Sequence, residues 1–288
     1  MHIDFELLNA CNYRCSFCLY STPPNERPKG FNVTGIKVLD IRLIEKVLSE
    51  SEGQLYAVEL GYNTEPLLRS DIIDIIRTCK EFGVIDIRMS TNGSLLKQIP
   101  ADELIDSGLT QLQVSINATS HETYLAARQS ENYEDVVSSL KAFISARNRL
   151  CSLLPRLKTS YVMTSENSMH ASLFQHQWNG IADIIALQDL IIYPEAGLVV
   201  DSAGLRPYDV SEYPGCYMPK VRLSVRSDGS VHPCCTVPGM ALKVGNIRES
   251  TISEIWNSYS FRLIRESHFN GSWEKNKICF SCLSNTQH

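Results

Sequence analysis

The sequence predicts an α/β protein: an open, partial (β/α)6 barrel followed by a small α+β domain. Two observations carry the first part. Short β-like runs alternate with segments of helical periodicity over the first two-thirds of the chain, and that alternation stops after Tyr193. A third carries the second part: ten cysteines occur in 288 residues, most of them gathered at the two ends of the chain.

The strands are expected at Ile3–Leu7, Tyr56–Gly61, Ile85–Ser90, Gln111–Ile116, Lys158–Met163 and Leu190–Tyr193. Between them, apolar residues recur at helical spacing, as at Ile41, Ile44, Val47 and Leu48, at Ile72, Ile75 and Ile76, and at Val136, Leu140 and Ile144. Strands that alternate with helices pair in parallel through helical crossovers. Six such units fall short of the eight that close a TIM-like barrel, and residues at the C-terminal strand ends are expected to face the active site. The barrel is assigned to residues 1–193 and a Pro- and Gly-containing linker to 194–215. Residues 216–288 form the small domain. There Val221–Val225, the Asp228–Gly229 turn and Val231–His232 read as a hairpin. Thr251 and Glu254 read as a capping box ahead of Ile255 and Trp256. A core of about seventy residues often needs a metal staple.

The formal net charge is −5 with no long run of one sign, which argues against a nucleic-acid surface or a polybasic membrane patch. No apolar run reaches membrane-span length, and MHIDFELLNA has neither a basic start nor a signal-length apolar core. A cytoplasmic protein is expected, and in a reducing compartment cysteines serve metals or catalysis before disulfides. Cys79 and Cys151, alone in expected helices, read as buried packing residues.

Cys11, Cys15 and Cys18 have the spacing C-x3-C-x2-C directly after the first strand. Three thiolates on one tight loop can hold three corners of a 4Fe–4S cluster and leave the fourth iron open. Structural zinc would want a fourth ligand, which the loop does not offer.

With this loop at its head, the sequence resembles the radical S-adenosylmethionine (radical SAM) family over about its first two hundred residues. Gly61-Tyr62-Asn63-Thr64-Glu65-Pro66 is similar to the family's Gly-Gly-Glu-Pro-type motif for the methionyl amino group, with the second Gly replaced. The resemblance implies contacts from Gly61, Asn63, Thr64 and Glu65. It implies further contacts from Phe17 in the cysteine loop, from Ser90 and Asn92 in Ser-Thr-Asn-Gly93, and from Ser115 and Asn117 near the ribose. Arg128 resembles the arginine that pairs with the methionyl carboxylate. The family's chemistry is cofactor chemistry: the reduced cluster donates an electron to the sulfonium, a 5′-deoxyadenosyl radical forms, and the protein orients and excludes water. An electron donor such as flavodoxin or ferredoxin is implied.

Cys216, Cys234, Cys279 and Cys282 form a second constellation, the last two as C-x2-C. Spacing alone leaves a 4Fe–4S cluster and structural zinc both open. The tail, with Gly245-Asn246-Ile247 and Ile255-Trp256-Asn257, is similar to the SPASM/twitch extension of radical SAM enzymes, which implies a single auxiliary 4Fe–4S cluster. Cys235 is surplus to that set. It reads either as packing or as the donor of a hydrogen atom to a substrate radical, as in radical SAM epimerases. The expected reaction is epimerisation of a sugar- or aminocyclitol-like small molecule. Dehydrogenation of a secondary alcohol, radical modification of a peptide, and a non-enzymatic iron–sulfur electron carrier are the alternatives. Tyr193 and Glu195 after the sixth strand, and Met163, Thr164 and Asn167 after the fifth, are the expected positions for pocket residues.

Overall fold

The computed structural model of the chain describes residues 1–27, 31, 35–51, 53–190 and 215–284. Six parallel strands lie side by side in chain order: β1 His2–Phe5, β2 Ala57–Leu60, β3 Asp86–Thr91, β4 Gln111–Ser115, β5 Arg156–Met163 and β6 Ile184–Asp189. The crossovers carry helices α1 Ile41–Glu50, α2 Ile72–Glu81, α3 Ala101–Asp106, α4 His121–Arg128, α5 Tyr133–Arg149 and α6 Ala171–Trp178. The partial-barrel expectation therefore holds. The C-terminal region does not stand apart from this sheet. After α7 Met218–Val221, strand β7 Arg222–Val225 joins the free edge of β1 in parallel, and β8 Ser230–His232 and β9 Gly245–Asn246 extend it antiparallel. Helices α8 Ile252–Trp256, α9 Tyr259–Phe269 and α10 Lys277–Ser284 complete the chain, and the Thr251/Glu254 capping box starts α8 as expected.

The strands alternate in a way that places the site. On the helix side, Ile3, Phe5, Val58, Leu60, Ile87, Met89, Leu112, Val114 and Leu157 are buried against Ile44, Val47, Ile75, Ile76, Val136 and Leu140. The other face carries Asp4, Glu59, Arg88, Ser90, Gln113, Ser115, Lys158 and Ser160. A closed barrel of this class fills its interior with Val, Ile and Leu. Polar residues at period two leave the interior for a ligand instead.

Two expectations are corrected. The sixth strand is Ile184–Asp189, not Leu190–Tyr193; residues 191–193 and Glu195 lie outside the described residues. Asp183 sets this register, because its carboxylate takes two bonds from Arg147 (2.5 and 3.2 Å) and one from the Leu157 amide (2.6 Å) just before the strand. Cys151 is exposed, two residues beyond the end of α5 and at φ +50°, rather than buried within a helix. Cys79 is buried in α2, and burial pushes its thiol up to about 12. Among the described residues no helix is long and apolar enough to cross a membrane.

Candidate active site

The cysteine loop follows β1 and is tied down on two sides. Toward α4, the Ser16 amide donates to the Ala127 carbonyl (3.1 Å) and the Tyr13 hydroxyl meets that of Tyr124 (3.1 Å). Toward the loop after β3, Asn12 donates to Ser94 (2.9 Å) and accepts from Asn92 (2.8 Å). Cys11, Cys15 and Cys18 are thereby brought to the wall of one cavity of about 290 Å³ at the C-terminal strand ends. Burial raises all three thiols, Cys18 to about 11. Three thiolates packed this way repel each other, so their ionised form calls for a cationic centre.

Gly61, Asn63, Thr64, Glu65, Phe17, Ser90, Asn92, Ser115 and Arg128 line the same cavity. Gly61 must be glycine: its φ is +86°, and a Cβ there would stand 2.5 Å from the Pro66 ring. Glu65 is fully committed inside the protein. It accepts from the Leu67 amide (3.0 Å), the Thr91 hydroxyl (2.6 Å) and the Asn92 amide (2.7 Å), locking the β2 loop to the β3 loop. Asn117 is not on the cavity wall; at φ +58° its Oδ1 accepts from the Val162 amide (2.9 Å) and splices β4 to β5. Tyr20, Tyr62, Thr91 and Gln113 line the cavity without having been singled out in the sequence. Gln113 alternates with Ser115 on β4, and that period was the available signal.

Arg128 ends α4 almost wholly buried, its guanidinium 5.2 Å from the Tyr13 ring and its Nε without a hydrogen-bond partner. A buried guanidinium with its Nε unpaired, beside three thiols, suits a carboxylate ligand. Arg128→Met should weaken SAM binding about 30-fold or more, the ~2 kcal/mol floor for deleting one member of a buried charge pair. Equilibrium dialysis with reconstituted protein reads this, and unchanged affinity refutes the assignment.

The second constellation also comes together. Cys216, Cys234, Cys279 and Cys282 line one pocket beneath α7 and α9, otherwise walled by Met218, Leu242 and Ile264. Burial pushes Cys216 up to about 11 and Cys279 up to about 12, with the neighbouring thiols adding to Cys279. Thr236 sits between Cys234 (3.4 Å) and Cys282 (3.9 Å). Among the described residues no three His, Cys, Asp or Glu are arranged to hold a single metal ion.

Cys235 turns away from that pocket. Its side chain packs on the small apolar cluster of Leu19, Tyr20, Phe31, Tyr62 and Met240, on which Cys11 and Cys18 also pack, and receives the Arg222 guanidinium at 3.5 Å. Its carbonyl accepts from Asn63 of the β2 loop (3.0 Å). Burial, reinforced by Asp4, holds the thiol well above its ordinary value.

Two family profiles match the chain. The Radical SAM superfamily covers residues 5–158. The chain belongs to it. The iron–sulfur cluster-binding domain named SPASM covers residues 216–283, which places iron–sulfur ahead of zinc at the second cysteine set. As a radical SAM enzyme with a SPASM region, the protein uses SAM and 4Fe–4S clusters, and its seven cysteines and Arg128 fit those groups. A probable GTP 3′,8-cyclase of Saccharolobus solfataricus is 31% identical over 174 residues, 58% of this chain and 49% of that protein. The chain thus spans about half the length of the curated relatives it matches. Among solved structures, BtrN in complex with AdoMet and 2-DOIA is 17% identical with a TM-score of 0.62, over 100% of this chain and 96% of that one. Streptococcus suis SuiB bound to S-adenosylmethionine is 14% identical with a TM-score of 0.68, over 99% and 71%. These likenesses support the fold.

Proposed function

We propose that this radical SAM enzyme epimerises a small polar metabolite: a hydrogen atom leaves one face of a substrate carbon and Cys235 returns one to the other. The observation that carries this is the divergence of adjacent side chains. Cys234 faces the auxiliary pocket, whereas Cys235 lies outside it, against Arg222 and the apolar cluster on which Cys11 and Cys18 of the first loop also pack.

Bound in the cavity, SAM and the first cluster supply the 5′-deoxyadenosyl radical. The protein's part follows from its residues. Arg128 holds the methionyl carboxylate, Gly61 and the Glu65 strut shape the loop beside it, and the polar strand faces receive the substrate. The hydrogen of the broken substrate C–H bond would pass to the 5′-deoxyadenosyl radical, giving 5′-deoxyadenosine. The S–H bond of Cys235 would then break, a C–H bond form on the opposite face, and a sulfur radical remain. A one-electron donor of the flavodoxin or ferredoxin class and a proton would restore the thiol.

A panel of sugars and aminocyclitols in heavy water tests the reading. Solvent deuterium at an inverted carbon is the expected result, because the Cys235 hydrogen exchanges with solvent. A ketone product without inversion would establish dehydrogenation instead. The 2-DOIA named in the BtrN complex is added to that panel as a further candidate.

A further inference from the structure

Among the described residues, the side chains that wall the auxiliary pocket are apolar apart from the four cysteines, Thr236 and His268. His268 serves the backbone: its Nδ1 accepts the Cys216 amide (3.1 Å). Thr236 serves the sulfurs. Its hydroxyl oxygen lies 3.4 Å from the Cys234 sulfur and 3.9 Å from that of Cys282, between a cysteine that follows β8 and one carried by α10.

The whereabouts of one proton decides what these contacts are. A threonine hydroxyl has one hydrogen to give and two lone pairs with which to receive. The Gly239 amide donates to the Thr236 oxygen (3.2 Å), which occupies one lone pair and holds the hydroxyl in place. Cysteines that bind iron do so as thiolates and carry no proton. The hydroxyl hydrogen is then the one that can lie between this oxygen and either sulfur, so Thr236 is the donor. In an apolar pocket such a bond is stronger than in water, and it strengthens as negative charge builds on the acceptor. One-electron reduction of a cluster adds that charge. The hydroxyl therefore favours the reduced form, and hydrogen bonds to sulfur are among the levers that set a cluster's potential.

We propose that Thr236 is a positioning residue for the auxiliary cluster: its O–H donates to the Cys234 or Cys282 thiolate and raises the cluster's reduction potential. A one-electron donor of the flavodoxin or ferredoxin class then fills the cluster more readily. One electron enters, no proton moves, and the hydroxyl keeps its hydrogen. The inference rests on the four cysteines as cluster ligands and is independent of what becomes of the substrate radical.

The test is EPR-monitored spectroelectrochemistry of the cluster-reconstituted, SAM-loaded full chain, reading the signal that SAM does not perturb. Thr236→Val removes the O–H at nearly constant volume. It should make one-electron reduction about tenfold less favourable, a shift of about 59 mV to lower potential. Thr236→Ser should keep the wild-type potential, and iron should stay near eight per chain in both variants. With iron retained, an unmoved or raised potential in Thr236→Val overturns the proposal, as does a fall in Thr236→Ser as large as that in Thr236→Val. Should valine cost the second cluster its iron, Thr236→Ala carries the same expectation of a lower potential. Iron lost from that variant too would make Thr236 a brace of the pocket and overturn the proposal. About four irons in the wild type would overturn the ligand assignment and this inference together. Full iron without the shift overturns this inference alone.

Discussion

Cys235→Ala should leave reductive SAM cleavage running while solvent deuterium at the inverted carbon falls about 100-fold or more. A group that acts only in one step removes that step when deleted and leaves the preceding one, which is the kinetic signature of a dedicated donor. The structure makes the separation clean. Cys235 lies outside the pocket formed by Cys216, Cys234, Cys279 and Cys282, so iron near eight per chain should persist. It packs on the apolar cluster of Leu19, Tyr20, Phe31, Tyr62 and Met240, and losing one sulfur there costs about 1 kcal/mol. Cys235→Ser is the sharper variant. It keeps the volume and a hydrogen bond to Arg222, yet an O–H bond is too strong to give its hydrogen to a carbon radical. A packing cysteine would tolerate serine with inversion intact; a donor would not. Inversion at the wild-type rate in either variant refutes the role.

The parts of the site written in local spacing were legible in the sequence. C-x3-C-x2-C after a strand forces three thiols onto one loop, and Gly61 before Pro66 marks a turn that only glycine can make, so both sets lie on the cavity wall. Five strands were found within two residues at either end because one face of each is a continuous apolar column. The sixth was displaced because Ile181 to Ile192 offers apolar residues nearly throughout, and its start is set by Arg147, far away in sequence. Asn117 was assigned to the ribose from its place in a motif, but a left-handed backbone turned its amide into a β4–β5 splice. The opposite headings of Cys234 and Cys235 arise in the bend after β8. Which of the two meets the auxiliary pocket is settled only by the position of α10 with Cys279 and Cys282.

Gly239→Ala should cost the protein its second cluster and spare the first. A Cβ on Gly239 would lie 2.2 Å from the Cys234 sulfur and 3.0 Å from the Thr236 hydroxyl oxygen, well inside any real contact. Its backbone is not in the left-handed region, so alanine brings no backbone strain there and the whole effect is this collision. Relief by moving the Gly239 turn is resisted, because the next residue, Met240, is buried against Tyr20 and Tyr62. Relief by rotating the thiol takes Cys234 out of the pocket it shares with Cys216, Cys279 and Cys282. Three thiols can still hold a cluster, as the first loop does, but here the fourth iron would be exposed to exchange rather than closed by sulfur. Iron should therefore fall from about eight to about four per chain on gel filtration. SAM binding should remain, since the hydrogen bonds that hold the first loop run to α4 and to the β3 loop. Cys234→Ala should reproduce the iron loss without the collision, which separates ligand loss from misfolding. Eight irons retained in Gly239→Ala would mean that Cys234 is not held against this turn, and the assignment of the auxiliary ligands would fall with it.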